Sequence, residues 1–291
     1  MTELYDQISS NKMKSWLYIA FFVALIFALA YIAGIMTGMG SFISAFAIII
    51  AVIMTVGTYY YSDSIVLSTV NARPAEKKEF PYLYNTVEGL SIAAGIPMPK
   101  LYVIEDDSIN AFATGRDPQH ALICVNTGTL KKLNRAELEG VIAHEMSHIK
   151  NYDIRMMMLA AVMVGAIAII ADMMLRMGFR GSGNRGRGGG LIMLFGLILV
   201  IFAPIFAKLA QLAISRKREY LADASGAHLT RYPEGLAAAL EKIRNDKTPE
   251  REISEAVAPL FISNPIHKRL IGNWFSTHPP LEDRIAILRK M

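Results

Sequence analysis

The chain has 291 residues, a length that fits one or two domains, and 53% of its side chains are apolar against only 19% charged. The charge deficit is concentrated: no residue from Ser15 to Ser62 is charged and a second apolar block lies between Met156 and Ala207, which excludes a wholly soluble protein. The net charge of +5 does not point to nucleic acid, because Lys12, Lys14, Arg73, Lys77, Lys78, Arg216, Lys217 and Arg218 flank the apolar segments, where cations anchor membrane helices, and no basic and aromatic interleaving is present.

Residues 1–14 are polar, and 16–36 form an apolar run that reaches the roughly 20 residues a helix needs to cross a bilayer. The run is too long for the core of a cleaved signal peptide. A Gly-rich turn at 37–41 leads to a second span over 42–61, closed by Tyr59, Tyr60 and Tyr61 at the membrane interface. Residues 1–62 therefore read as an N-terminal transmembrane hairpin. Residues 63–155 read as the first part of a soluble domain. A helix is expected around 75–94, stopped by Gly95 and Pro97, and strands over 101–104 and 121–125, with 110–114 between them. The second strand holds Cys124, the only cysteine, so an internal disulfide and a cysteine zinc site are both excluded. Asn134 opens a further helix, and Glu137 three residues on completes a capping box.

Residues 156–214 read as a second hydrophobic hairpin. Its first arm (156–177) is interrupted by Asp172 and Arg176, a Gly- and Arg-rich loop follows, and 191–207 make a cleaner span. Residues 215–291 return to polar, helical sequence and finish in an amphipathic helix opened by Thr277-His278-Pro279-Pro280. The expected fold is a mainly α membrane protein with up to four transmembrane helices. Most cations beside the spans lie with the soluble segments, which places those segments in the cytoplasm. Arg176, Arg180, Arg185 and Arg187 dissent and leave open whether the second hairpin crosses the bilayer.

The helix opened by Asn134 carries His144-Glu145-Met146-Ser147-His148. Positions i and i+4 share a helix face, so two imidazoles converge as a zinc ion requires, and Glu145 beside them can take a proton from a water on the metal. The opposite face (Leu138, Val141, Ile142, Ile149) is apolar. A metzincin is excluded, because Asn151 and Ile154 stand where that class needs a glycine and a third histidine. The third ligand therefore comes from elsewhere. Glu219 is favoured. It shares a helix face with Asp223, so one carboxylate can bind zinc while the other accepts a hydrogen bond from a ligating histidine. A hydrophobic hairpin between His148 and Glu219 also returns both helices to one membrane face. His228 and His278 stay as rival ligands, and a solvated charged helix would equally account for Glu219 beside Arg216, Lys217 and Arg218.

With these residues the chain resembles the M48 family of zinc metallopeptidases, and within it the bacterial membrane-bound heat-shock proteases. The similarity covers nearly the whole chain: the two leading spans, Asn110-Ala111-Phe112-Ala113-Thr114-Gly115, His144 to His148 followed by Asn151 and Asp153, Glu219 with Asp223, and His278-Pro279-Pro280 with Arg284. It implies an α+β gluzincin-type protease domain and one zinc per chain held by His144, His148 and Glu219. It implies endoproteolytic quality control of damaged or misassembled membrane proteins, at the bacterial inner membrane with the catalytic domain facing the cytoplasm. It also implies that Asn110, Ala111, Phe112 and Ala113 form an edge strand to which an extended substrate adds through backbone hydrogen bonds. His278 would then help to stabilise the oxyanion, as a second catalytic residue beside Glu145. Asn151, Asp153, Asp223 and Arg284 would surround the ligands, Arg284 as an ion-pair partner rather than a catalyst. The implied partners are protein or peptide substrates and the lipid bilayer.

Two rival functions follow from the same residues. A non-catalytic membrane scaffold or chaperone could retain a structural zinc, but such sites close with four protein ligands and have no use for Glu145. A membrane protease trimming lipidated C-terminal peptides is the other; M48 relatives of that kind resemble chains with more spans.

Overall fold

A computed structural model describes residues 63–159, 216–249, 257–263 and 279–291, together with single positions within 9–24 and 49–61 and residues 197, 198 and 253. Most of the four apolar runs, and His278, lie outside the described residues. Among the described residues no helix is long and apolar enough to cross a membrane.

Four strands form one sheet: β1 (Arg73–Pro74), β2 (Lys100–Ile104), β3 (Ala111–Gly115) and β4 (Ala121–Asn126), in the order β1-β2-β4-β3. β2 and β4 run parallel, and both outer pairs are antiparallel. Among the described residues, the helices that accompany the sheet include α1 (Pro81–Ala94), α2 (Thr127–Lys132), α3 (Arg135–Lys150), α4 (Arg216–Thr230), α5 (Pro233–Asn245) and α6 (Leu281–Leu288). The mixture of helix and sheet is the one expected for the protease part of the chain.

Two boundaries differ from the sequence expectation, for local reasons. The helix expected from residue 75 starts at Pro81, because the proline ring lacks an N–H and disfavours helical backbone at Phe80. Arg73–Pro74 pairs with β2 instead. α1 stops where expected, at Gly95, whose φ of 68° lies in the left-handed region open to glycine. The polar helical stretch after residue 215 is two helices. Arg231 at φ 53° turns the chain, and Pro233 starts α5 with an N–H the helix does not need.

Alternation along the strands divides the interior between the two faces of the sheet. Leu101, Val103, Ala111, Ala113, Ile123 and Val125 join a core built mainly with α1, α3, α5 and α6, whereas Ile104, Phe112, Leu122 and Cys124 pack with Val66, Val70, Met157 and Phe261. Burial pushes the Cys124 thiol up, so it is an inert core residue.

α3 lies at the centre. The capping box is formed: Asn134 Oδ1 accepts from the Glu137 amide at 3.0 Å, and the Asn134 amide donates to Glu137 Oε2 at 2.7 Å. Leu138, Val141, Ile142, Met146 and Ile149 enter the core, and each such side chain stabilises by about 1.5–3 kcal/mol. Two glycines let neighbouring helices close on α3. A Cβ on Gly226 of α4 would stand 3.0 Å from the His144 nitrogen, and one on Gly140 would stand 2.6 Å from the Leu236 nitrogen in α5.

Candidate metal centre and active site

The i, i+4 spacing places His144 and His148 on one side of α3, with their Nε2 atoms 3.2 Å apart. The close approach at Gly226 brings the first turn of α4 opposite them. Glu219 Oε2 lies 3.7 Å from His144 Nε2, and Oε1 lies 3.5 Å from His148 Nε2. One donor atom from each of the three residues falls within 4.8 Å of the others, and all three residues are buried. The rival His228 sits in the last turn of the same helix.

Each imidazole is oriented from behind. His144 Nδ1 is 2.9 Å from Asp223 Oδ1, and His148 Nδ1 is 3.1 Å from Asp153 Oδ2. A carboxylate accepting a hydrogen bond from Nδ1–H keeps the proton there and leaves the Nε2 lone pair facing the shared point, as a metal ligand requires. Arg284, wholly buried, grips Asp223 with two bonds, Nε to Oδ2 at 2.8 Å and Nη2 to Oδ1 at 2.7 Å. Its Nη1 lies 3.6 Å from Glu219 Oε2, so one guanidinium spans both carboxylates of α4. Burial alone would raise the Asp223 carboxyl, but Arg284 and His144 outweigh it and hold the group well below the usual carboxylate range.

The donor set fits a divalent transition metal such as zinc. Two imidazole nitrogens and a carboxylate suit that ion, and three protein ligands leave one position open. Charge agrees. Among the described residues, Glu145, Asp153, Glu219 and Asp223 are carboxylates buried around the two imidazoles, with Arg218 and Arg284 beside them. Such an acidic surround suits a cation. The carboxylates also act on the histidines: burial would lower His148, but Asp153 and Glu219 outweigh it and push it up to about 9.

Glu145 follows His144 directly and is buried, with its carboxylate near the Ala113 amide of β3. Burial raises its pKa, against the pull of the two histidines. Among the described residues β3 is the last strand of the sheet, with no further strand paired on its outer side. Its first residue is already engaged: Ala111 O accepts from the Ile262 amide at 2.9 Å. Asn110 fixes that contact, donating Nδ2 to Ser263 O at 2.8 Å and accepting the Ser263 amide at 3.3 Å. The Phe112 side chain packs on Phe261, with ring centroids 4.7 Å apart. These contacts occupy the outer edge of β3 at Ala111, and all five residues of the strand are buried.

Asn151 caps the C-terminus of α3. Sequence reasoning did not single out three contributors. Gly226 shows no signal until its neighbour across the helix pair is known. Arg218 looked like a membrane-flanking cation but is buried, with its Nε 3.8 Å from Asp153 Oδ1. Asn11 belonged to a polar N-terminus, yet its Nδ2 donates to Asn151 O at 3.0 Å and to Asp153 Oδ1 at 2.8 Å.

A buried His-His-Glu donor set with a glutamate beside the first histidine, carried on this α+β scaffold, defines a metallopeptidase. The profile of peptidase family M48 matches residues 77–291, and the chain belongs to that family. It is 47% identical to a "Protease HtpX homolog" of Dictyoglomus turgidum, over 99% of this chain and 94% of that one. It is 43% identical to a protein of the same name from Streptococcus gordonii, over 99% of this chain and the whole of that one. Among solved structures, S. mikatae Ste24p has a similar fold, with TM-score 0.51 and 18% identity over 99% of this chain and 67% of that one.

Proposed function

We propose that the protein is a membrane-bound zinc endopeptidase that hydrolyses damaged or misassembled membrane proteins from the cytoplasmic side of the bacterial inner membrane. The observation that carries the proposal is the convergence of His144, His148 and Glu219 on one buried point with Glu145 alongside. The HtpX homologs matched over the full length, and the two leading apolar runs, support the membrane setting.

A zinc ion held by His144, His148 and Glu219 would supply a water of pKa about 7 and a Lewis acid for the scissile carbonyl. Asp223 and Asp153 hold the two ligating imidazoles in the tautomer that presents Nε2. Glu145, whose pKa burial raises, accepts the proton of the attacking water and returns it to the leaving amine. The outer edge of β3 at Ala113 receives the substrate as an added strand, which fixes the scissile bond by main-chain hydrogen bonds and tolerates many sequences. His278, on the strength of the family resemblance, helps to stabilise the oxyanion.

The test is zinc content and casein cleavage in detergent for wild type, Glu145→Gln and Glu219→Ala. Glu145→Gln should keep zinc and lose about 10²–10⁴-fold in rate, whereas Glu219→Ala should lose both. A wild type that binds zinc and never cleaves, even unfolded membrane proteins, would favour the scaffold instead.

A further inference from the structure

Asn11 lies before the first apolar run, in sequence far from every site residue, and is nonetheless 2% exposed. Its amide is fully used. One N–H reaches Asn151 O, at the C-terminus of the ligand helix, and the other reaches Asp153 Oδ1. The amide oxygen faces Arg218 Nη1 at 3.4 Å, and Arg218 precedes Glu219. The opposite amide orientation would set an oxygen against two oxygens and an NH₂ against a guanidinium, so the orientation is fixed by its partners. A buried amide costs free energy unless bonded. Here all three side-chain bonds go to groups adjoining the candidate ligands.

Asp153 has two oxygens, and they divide the work. Oδ2 holds His148 Nδ1, and Oδ1 takes the Asn11 bond at 2.8 Å, with Arg218 Nε 3.8 Å from the same oxygen. The Asn11 bond is the short, directional contact at Oδ1; without it only the longer ion pair opposes a swing of the carboxylate that carries the imidazole with it. A second attachment lies one helix turn on: the Arg155 guanidinium is 5.8 Å from the Trp16 ring and 5.3 Å from the Tyr59 ring, and Nη2 bonds Tyr59 Oη at 3.0 Å. This second attachment joins the N-terminal region to the 151–155 segment without touching His148.

We propose that Asn11 is a positioning residue of the metal centre, locking Asp153 and through it the His148 ring, so that the N-terminal segment is part of the catalytic unit and not only its membrane anchor. The proposal rests on the metallopeptidase reading above. Outer partners of ligating histidines typically govern metal affinity by 10–100-fold.

The test uses the full chain in detergent, with zinc affinity from chelator competition and the visible absorption of the cobalt(II)-substituted protein. Asn11→Ala should weaken zinc binding by about 10–100-fold and shift the cobalt bands, because the His148 geometry relaxes. Trp16→Leu combined with Tyr59→Leu removes the other attachment and should leave affinity within about threefold and the bands in place. Wild-type affinity and spectrum in Asn11→Ala would overturn the proposal, as would an equal loss in both variants, which would mean general docking of the helix. A wild type that binds neither metal would overturn the metallopeptidase reading, and this proposal with it.

Discussion

At Asp246 four donors converge on one carboxylate: the Ile109 amide at 2.9 Å, Lys132 Nζ at 3.0 Å, and the Thr248 amide and hydroxyl at 3.1 and 2.6 Å. Ile109 leads directly into Asn110 and β3, so this one side chain ties the end of α5 to the start of the edge strand. Burial would raise its pKa, but the bonds from Thr248 and Lys132 outweigh that and bring it down to about 2. A carboxyl lower in the folded state than its unfolded value of about 3.9 contributes stability above that value and loses it as pH falls toward 2. Asp246→Asn should cost about 1–3 kcal/mol at pH 7, and the gap to wild type in thermal melts should narrow between pH 4 and pH 2. A gap constant over that range would place the effect elsewhere. Such a residue is illegible in sequence, because its donors come from three separate segments. His144 and His148 are the opposite case. Their relation is local, set by the helix repeat, and the capping box at Asn134 fixed where that helix begins.

Elements were legible where local chemistry decides them and not where neighbours do. Gly95 ended α1 and the apolar strands paired, but Pro81 and Pro233 cut helices that composition alone ran together. The meeting of α3 with α4 was foreseen only as topology; what permits it is Gly226. Glycine costs a helix about 1 kcal/mol relative to alanine, so its place in α4 is explained by the 3.0 Å approach to the His144 nitrogen. Alanine would regain propensity while crowding that contact, and the two nearly cancel. Valine cannot be accommodated without separating the helices, at about 1–3 kcal/mol. Gly226→Val should therefore reduce both melting temperature and zinc content, since Glu219 moves away with its helix. Full zinc occupancy in that variant, measured by elemental analysis, would show that the approach of α4 is not what places the third ligand.

For the molecule as a whole, the first and second soluble segments build one core: Ile142 and Met146 from one pack with Leu236, Leu240 and Ile285 from the other. The candidate metal centre lies on the same seam, with two candidate ligands from α3 and one from α4. Without a cation the seam holds four buried carboxylates around the two histidines. Metal should therefore stabilise the joined segments as well as serve chemistry. A ligand held at 100 times its dissociation constant adds about 2.7 kcal/mol to the folded state. For a domain of this size that is about 5–10 °C in melting temperature. Adding a strong chelator to the full chain in detergent should lower the melting temperature by that amount, and zinc in excess should restore it where magnesium does not. Glu219→Ala, lacking the ligand from the second segment, should melt at one temperature with or without chelator. If chelation leaves the wild-type curve in place, the seam is held by its apolar core and the Arg284 pairs alone, and the buried carboxylates must then be neutralised by protons instead of a metal.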